Sequence, residues 1–317
     1  MAAQQYTSAG NSQATAFDVQ GIVDALHGAR QDWRLSQNRS SEPGGREFPS
    51  RDALAAIVDL LKGALFPMRL GPVDLRQESE DFYVGYTLDA ALHALLAQTR
   101  LELRLASHVG SADKVQARAY EATAQFARAL PEIRRLLDSD VLAAFQGDPA
   151  ARSVDEVLLC YPGIQAMIYH RLAHQLYLLE LPLLARIVAE LAHGQTGIDI
   201  HPGARIGAGF FIDHGTGVVI GETAVIGERV RLYQHVTLGA KRFPTDAQGN
   251  LQKGLARHPK LEDDVVIYAG ATVLGRITIG RGATIGGNVW LTSDVPPGGN
   301  VTQAVSRHGE SERTLQP

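Results

Sequence analysis

The chain has 317 residues, 45% hydrophobic and 20% charged, which excludes disorder or a collagen-like repeat over most of its length and provides for about two domains. Thirty Lys and Arg against 34 Asp and Glu leave a formal charge of −4 with no basic block, so no nucleic-acid partner is expected, while a small polyanionic ligand stays admissible. The one cysteine, Cys160, excludes an internal disulfide and leaves the fold to its core. At the start, residues 1–16 lack a basic stretch followed by an apolar run; they read as a disordered polar tail without a signal peptide, and a cytoplasmic location is expected. The most apolar stretch, Leu176 to Ala192, is broken by Glu180, Pro182, Arg186 and Glu190, so no membrane span is expected.

From residue 17 to about 194 the chain is rich in Ala and Leu at helical spacing. Leu54, Ile57, Val58, Leu61 and Leu65 form one apolar stripe, with Ser50 placed as the cap of the helix they predict. Leu88, Leu92, Leu95, Leu96, Thr99 and Leu103 repeat the pattern, as do Val115, Ala119, Ala122, Phe126 and Leu130, then Ile164, Ile168 and Leu172. Breaks at Pro43-Gly44-Gly45, Gly71-Pro72, Gly110-Ser111, Gly147-Asp148-Pro149 and Pro162-Gly163 separate them, giving an all-helical domain of about six to eight helices. His170 and His174 stand four apart on a helix, but His-Arg-Leu-Ala-His lacks the glutamate of a zinc-protease motif, so packing roles are expected. Cys160 lies in an apolar run without a local His partner and reads as a small core residue.

Glycine use changes abruptly near Gly194 to Gly197, and beyond it aliphatic residues recur every six positions. The markers are Ile200, Ile206 and Ile212; Ile220, Ile226, Leu232 and Leu238; and Leu261, Ile267, Val273, Ile279, Ile285 and Leu291. Four residues after most of them comes a second position, small or β-branched at Ala204, Thr216, Ala224, Val230, Val236, Val265, Ala271, Ala283 and Val289, and larger at Phe210 and Ile277. Neither a helix nor a plain strand has this period, whereas a parallel β-helix does, each hexapeptide forming one side of a prism. Three hexapeptides make a coil, so about four coils are predicted. The phase slips by two between Ile212 and Ile220, and about 17 extra residues separate Leu238 from Leu261. The organisation expected is α+β: a tail over 1–16, a helical domain over 17–194, the β-helix over 195–297 with an inserted loop at 239–258, and a second tail over 298–317.

The runs Asp199-Ile-His-Pro, Ile212-Asp-His214-Gly-Thr-Gly, Gly221-Glu-Thr-Ala, Gln234-His-Val-Thr-Leu-Gly and Arg257-His-Pro-Lys together resemble bacterial serine O-acetyltransferase, over about Leu130 to Pro297. The resemblance implies a left-handed β-helix, a homotrimer with active sites between neighbouring prisms, and transfer of acetyl from acetyl-CoA to the hydroxyl of L-serine, giving O-acetylserine for cysteine synthesis. A serine hydroxyl needs a general base near neutral pH, and histidine supplies one. His214, bracketed by Asp213 and glycines where the repeat slips, is the candidate base, and Asp199 the group that orients it; the resemblance assigns the same roles. It also implies that Asp148 and Asp213 face the substrate ammonium, and that Arg257 and His258 face its carboxylate. Asp148, before Pro149, is alone a turn former. Glu222 matches a family position with either an electrostatic or a structural role. Gly239, Ala240, Ala269 and Gly287 are placed along the path of coenzyme A, where small residues admit close approach to the backbone, and Lys241 can meet its phosphates. No metal is expected.

Other acceptors on the same scaffold, homoserine or a sugar, form the nearest rival, since one methylene discriminates weakly. A trimeric β-helical carbonic anhydrase needs zinc-binding histidines five apart, and His201, His214, His235 and His258 contain no such pair. A catalytically dead scaffold would not retain the charged set. Departures from the family are the long loop Lys241 to Ala256 and an end at Leu315-Gln316-Pro317 in place of the usual isoleucine, so a tight complex with O-acetylserine sulfhydrylase is not expected. Pairing of trimers into hexamers is left open, and cysteine, which carries serine's ammonium and carboxylate, is a candidate feedback inhibitor.

Overall fold

The computed structural model describes residues 17–37, 48–105 and 111–303. The tails expected at 1–16 and, for the most part, at 298–317 lie outside these residues, as does the chain end on which the sulfhydrylase expectation rests. The chain divides into two units, residues 1–46 and 47–317. In the first, α1 (Val19–Ser36) begins at Asp18, whose carboxylate accepts a hydrogen bond from the Gly21 N–H. None of its residues is buried, and Ile22, Leu26 and Trp33 are exposed.

In the second unit the helices are α2 (Arg51–Leu65), α3 (Pro67–Leu70), α4 (Glu80–Leu105), α5 (Ala112–Gly147), α6 (Val154–Cys160), α7 (Pro162–Leu178) and α8 (Pro182–Thr196). Ser50 caps α2 by accepting from the Ala53 N–H, and Leu54, Ile57, Val58, Leu61 and Leu65 are all buried. The stripe from Val115 to Leu130 belongs to α5, which continues through Pro131 to Gly147. Glu102, buried near the end of α4, accepts from the N–H groups of Leu183 and Leu184 and so satisfies the first turn of α8. Cys160 departs from expectation: α6 is only seven residues long and buries Val157 alone, leaving the thiol exposed at its end.

The prism follows as three parallel sheets. Sheet A contains β1 (Asp199–Ile200), β4 (Val219–Ile220), β7 (Thr237–Gly239), β10 (Thr272–Leu274) and β13 (Trp290–Leu291). Sheet B contains β2 (Arg205–Ile206), β5 (Val225–Ile226), β8 (Lys260–Leu261) and β11 (Thr278–Ile279). Sheet C contains β3 (Phe211–Ile212), β6 (Arg231–Leu232), β9 (Val266–Ile267), β12 (Thr284–Ile285) and β14 (Asn300–Val301). Successive coils align marker with marker, Ile200 with Ile220 and Leu232 with Ile267, so the inward side chains stack into one column. All the markers are buried except Ile206, which is half-buried.

Two details of the repeat are corrected. The slip after Ile212 is absorbed in the turn, so Thr216 is exposed and Val218, two before the next marker, fills the inward position. The prism also extends past residue 297: the interval shortens to place Val295 beside Ile279, as a single bridge on sheet B, and Val301 beside Ile285, giving sheet C its fifth strand where Pro296-Pro297-Gly298-Gly299 hides the period.

The helices are fixed to the first coil by a buried ion pair. Arg171 of α7 makes paired bonds of 2.7 and 2.8 Å to Asp140 of α5 and donates to the carbonyls of Ile206 and Gly207. Asp140 also accepts from the Phe210 N–H. With both partners satisfied the pair is tolerated; removal of one leaves the other charged and buried, at a cost of about 3–5 kcal/mol. The same α5 carries Asp148 at its C-terminal end.

Candidate active site

The edge where sheet C turns into sheet A holds the first group of residues. Asp148, the residue after α5, accepts from the Ala150 N–H at 2.8 Å and from the Tyr161 hydroxyl at 2.5 Å. It therefore forms a turn and presents a carboxylate at once. The Tyr161 bond is the main cause that holds the Asp148 carboxyl below its ordinary range, and reciprocally the phenol is pushed up to about 12. Tyr161 reaches this place because α7 starts hard against β3: a Cβ on Gly163 would stand 2.3 Å from the Ile212 carbonyl oxygen, so only glycine permits the approach.

Asp213, directly after β3, is largely buried, and its charge acts on Tyr161 and Tyr233. His214 adopts a left-handed backbone with φ of 58°, an unusual state for a residue with a Cβ, and this turns its ring out of the prism. The imidazole is 73% exposed, with Nε2 3.8 Å from Asp213 Oδ1. Arg231 lies over the rings of Phe211 and Tyr233 behind the two aspartates. Asp199 stands apart: it starts β1, makes no side-chain hydrogen bond to His214 among the described residues, and gathers with Glu190 and His193 within 4.8 Å. That trio has metal-ligand chemistry, yet Glu190 is engaged by Arg186 at 2.6 Å.

The edge where sheet A turns into sheet B holds the second group. Thr223 organises it, its hydroxyl accepting from the N–H groups of Arg257 and His258 and its own N–H donating to His258 Nδ1 at 3.0 Å. His258 Nδ1 is thus an acceptor and the ring proton belongs on Nε2. The imidazole is buried, and burial, helped by Arg257, pushes its pKa down to about 4, so it is a neutral donor at pH 7. Its ring lies flat on Gly221, where a Cβ would stand 2.1 Å from Nε2.

Arg257 donates to Glu222 at 2.8 Å, and Tyr177 donates to the other oxygen of Glu222 at 3.2 Å. Burial acts to raise the Glu222 carboxyl, but Arg257, His201 and Tyr177 outweigh it and hold it below its ordinary range. Arg276 ties the edge together by donating to the carbonyls of Thr223 and His258. The inserted loop leaves β7 and returns to β8, crossed by a bridge between Thr245 and Leu251. With Glu222 and Arg257 it encloses a cleft of about 350 Å³ lined by Phe243, Leu251 and Leu255.

The residues expected to meet coenzyme A divide in the same way. Gly239, Ala240 and Lys241 leave β7 on the A–B edge, while Ala269 and Gly287 occupy the C–A edge, where a Cβ on Gly287 would lie 3.2 Å from the Ala269 carbonyl oxygen. Within one chain, then, Asp148, Asp213 and His214 come together, and Glu222, Arg257 and His258 come together, with sheet A between the two sets. Tyr161, Thr223, Tyr177 and Arg276 were not foreseen. Tyr161, in the Tyr-Pro-Gly break, and Thr223, in the Gly-Glu-Thr-Ala run, carried a local signal, whereas Tyr177 and Arg276 carried none.

Residues 78–168 match the family model "Serine acetyltransferase, N-terminal", and residues 258–293 match "Bacterial transferase hexapeptide (six repeats)". A plasmid-borne serine acetyltransferase of Synechococcus elongatus is 60% identical over 271 residues, covering 84% of this chain and 85% of the relative. Among solved structures, serine acetyltransferase 1 of Entamoeba histolytica in complex with L-cysteine is 33% identical with a TM-score of 0.68, covering 89% of this chain and all of that one. Neisseria gonorrhoeae serine acetyltransferase in complex with serine is 31% identical with a TM-score of 0.52, covering 80% and 95%.

Proposed function

The chain belongs to the serine acetyltransferase family, and from its acetyl transfer to serine we propose that each active site joins the C–A edge of one copy to the A–B edge of the next. The observation that carries this reading is the separation of the two residue sets by sheet A. The outward side chains of that sheet are Asp199, Val219, Thr237, Thr272 and Trp290, an almost uncharged ladder with Trp290 70% exposed. Such a face suits burial against another copy, and a closed ring of three satisfies every edge.

In this arrangement Asp148 and Asp213 hold the ammonium of L-serine, while Arg257 and the Nε2–H of His258 from the adjacent copy hold its carboxylate. Glu222 keeps Arg257 extended toward that place. His214 takes the hydroxyl proton as Oγ attacks the thioester carbonyl of acetyl-CoA; the carbon–sulfur bond breaks, and the departing thiolate takes the proton from the imidazolium. Acetyl-CoA lies in the groove between copies, its pantetheine beside Gly239, Ala240, Ala269 and Gly287 and its phosphates near Lys241. Asp199 supports the protonated ring through its charge. L-cysteine, with the same ammonium and carboxylate as serine, competes for this pocket.

The test follows thiol release from acetyl-CoA with L-serine, homoserine and sugars offered as acceptors. Turnover is expected with serine alone, and His214→Ala is expected to reduce kcat by roughly 10² to 10⁴. Equal turnover with homoserine would remove the assigned acceptor geometry, and wild-type turnover in the variant would remove the base.

A further inference from the structure

A cleft of about 430 Å³ opens between α5, α7 and sheet B, next to the A–B edge, whose pocket Arg205 also lines. This is the size range of small-molecule sites. Its walls include Ile133, Leu136, Leu178 and Ile206. Ile206 is the single repeat marker that is not fully buried, because the column of the prism is open to the cleft at this coil.

The polar lining is unusual. His170 is 3% exposed, and its Nδ1 has no hydrogen-bond partner. His174 stacks on it with ring centroids 5.7 Å apart and bonds the Pro202 carbonyl through Nδ1 at 2.7 Å, which leaves Nε2 as an acceptor. Burial keeps both imidazoles below their ordinary pKa, so neither supplies charge at pH 7. Arg171 is consumed by Asp140 and two carbonyls. Arg205, exposed on β2, makes no side-chain hydrogen bond or ion pair among the described residues. Glu132, which also lines the cleft, is paired with Arg135.

One unengaged guanidinium beside an apolar trough and two neutral imidazoles matches a monoanion with a hydrocarbon body. A phosphate dianion would find a single cation and face Glu132. We infer that this cleft is a second ligand site that binds a small aliphatic carboxylic acid, its carboxylate forked on Arg205 and its chain against Ile133, Leu136, Leu178 and Ile206. The site uses none of the residues assigned to catalysis, and it lies on the sheet B side of the prism rather than on the sheet A face that the proposed assembly covers.

Binding of sodium octanoate to the full-length protein, followed by calorimetry and thermal shift, tests the inference, with butanoate, 1-octanol and inorganic phosphate as comparison probes. Octanoate is expected to bind saturably and to raise the melting temperature, and the other three are expected to bind at least tenfold more weakly. Arg205→Gln and, separately, Leu136→Trp are expected to weaken octanoate binding at least tenfold while serine turnover stays at wild type, which shows that each variant is folded. No saturable binding by the wild type, equal binding of octanol or phosphate, or undiminished binding by a turnover-competent Arg205→Gln variant would overturn it.

Discussion

The two edges that flank sheet A are built from the same repeat but solve their turns differently. Along the C–A edge, Gly197, Gly217, His235, Gly270 and Asn288 occupy equivalent positions, all with positive φ, and His214 adds one more where the repeat slips. Left-handed turns push side chains outward, and here they present an exposed imidazole beside two carboxylates. Along the A–B edge the equivalent positions are Gly203, Thr223, His258 and Arg276, none with positive φ. Gly275, beside Arg276, has positive φ but no side chain to turn outward, and the polar groups of this edge are used in a network around Thr223. In the proposed function one edge moves a proton and attracts a cation, and the other holds an anion. The proposed site therefore draws its two halves from two copies.

The largest effect that bears on this contrast comes from disturbing the rigid edge. Gly221→Ala places a methyl where the His258 ring lies, so the ring must shift; serine kcat/KM is expected to fall by about 10², the usual consequence of misplacing a positioned group. Unchanged kinetics would mean that His258 does not touch substrate.

On the open edge the expected effect is smaller. Tyr161→Phe removes the hydroxyl bonded to Asp148 and lets the carboxyl return toward its ordinary range. The serine KM is expected to rise roughly threefold to tenfold, as for loss of one hydrogen bond, with kcat unchanged and the acid limb of serine binding moved to higher pH. A kcat loss with an unaltered pH profile would assign Tyr161 to folding.

The smallest effect sharpens the contrast through stability. His258 has its folded pKa lowered to about 4 from 6.5, so between those values the unfolded chain binds more protons and stability falls as pH drops below about 6.5. Burial lowers His170, His174 and His201 in the same sense. Melting temperature is expected to decline from pH 7 to pH 5, with a shallower decline in His258→Asn.

The scaffold was legible because each prism side is one hexapeptide, so burial writes a period of six directly into Ile220, Ile226 and Leu232. The end of the prism was hidden because two prolines and two glycines replace the marker while the backbone keeps pairing. The charged candidates could be named, but their supports could not, since the bonds that fix them join distant positions. Tyr161 reaches Asp148 across 13 residues, Thr223 reaches His258 across 35, and Arg276 reaches Thr223 across 53. Cys160 is exposed despite its apolar neighbours in sequence, because a seven-residue α6 buries only Val157.

Mixing two inactive variants tests the shared site most directly. In the proposed assembly His214→Ala disables the C–A edge and Arg257→Ala the A–B edge, so a trimer of either variant alone would hold no complete site. When the two are co-refolded at equal amounts, random assembly gives about a quarter of the sites both intact edges, and serine acetylation is expected to return to about that fraction of wild type. Mixed trimers, verified by differential tags, that remain as inactive as the parents would show that both edges act within one chain and would contradict the account.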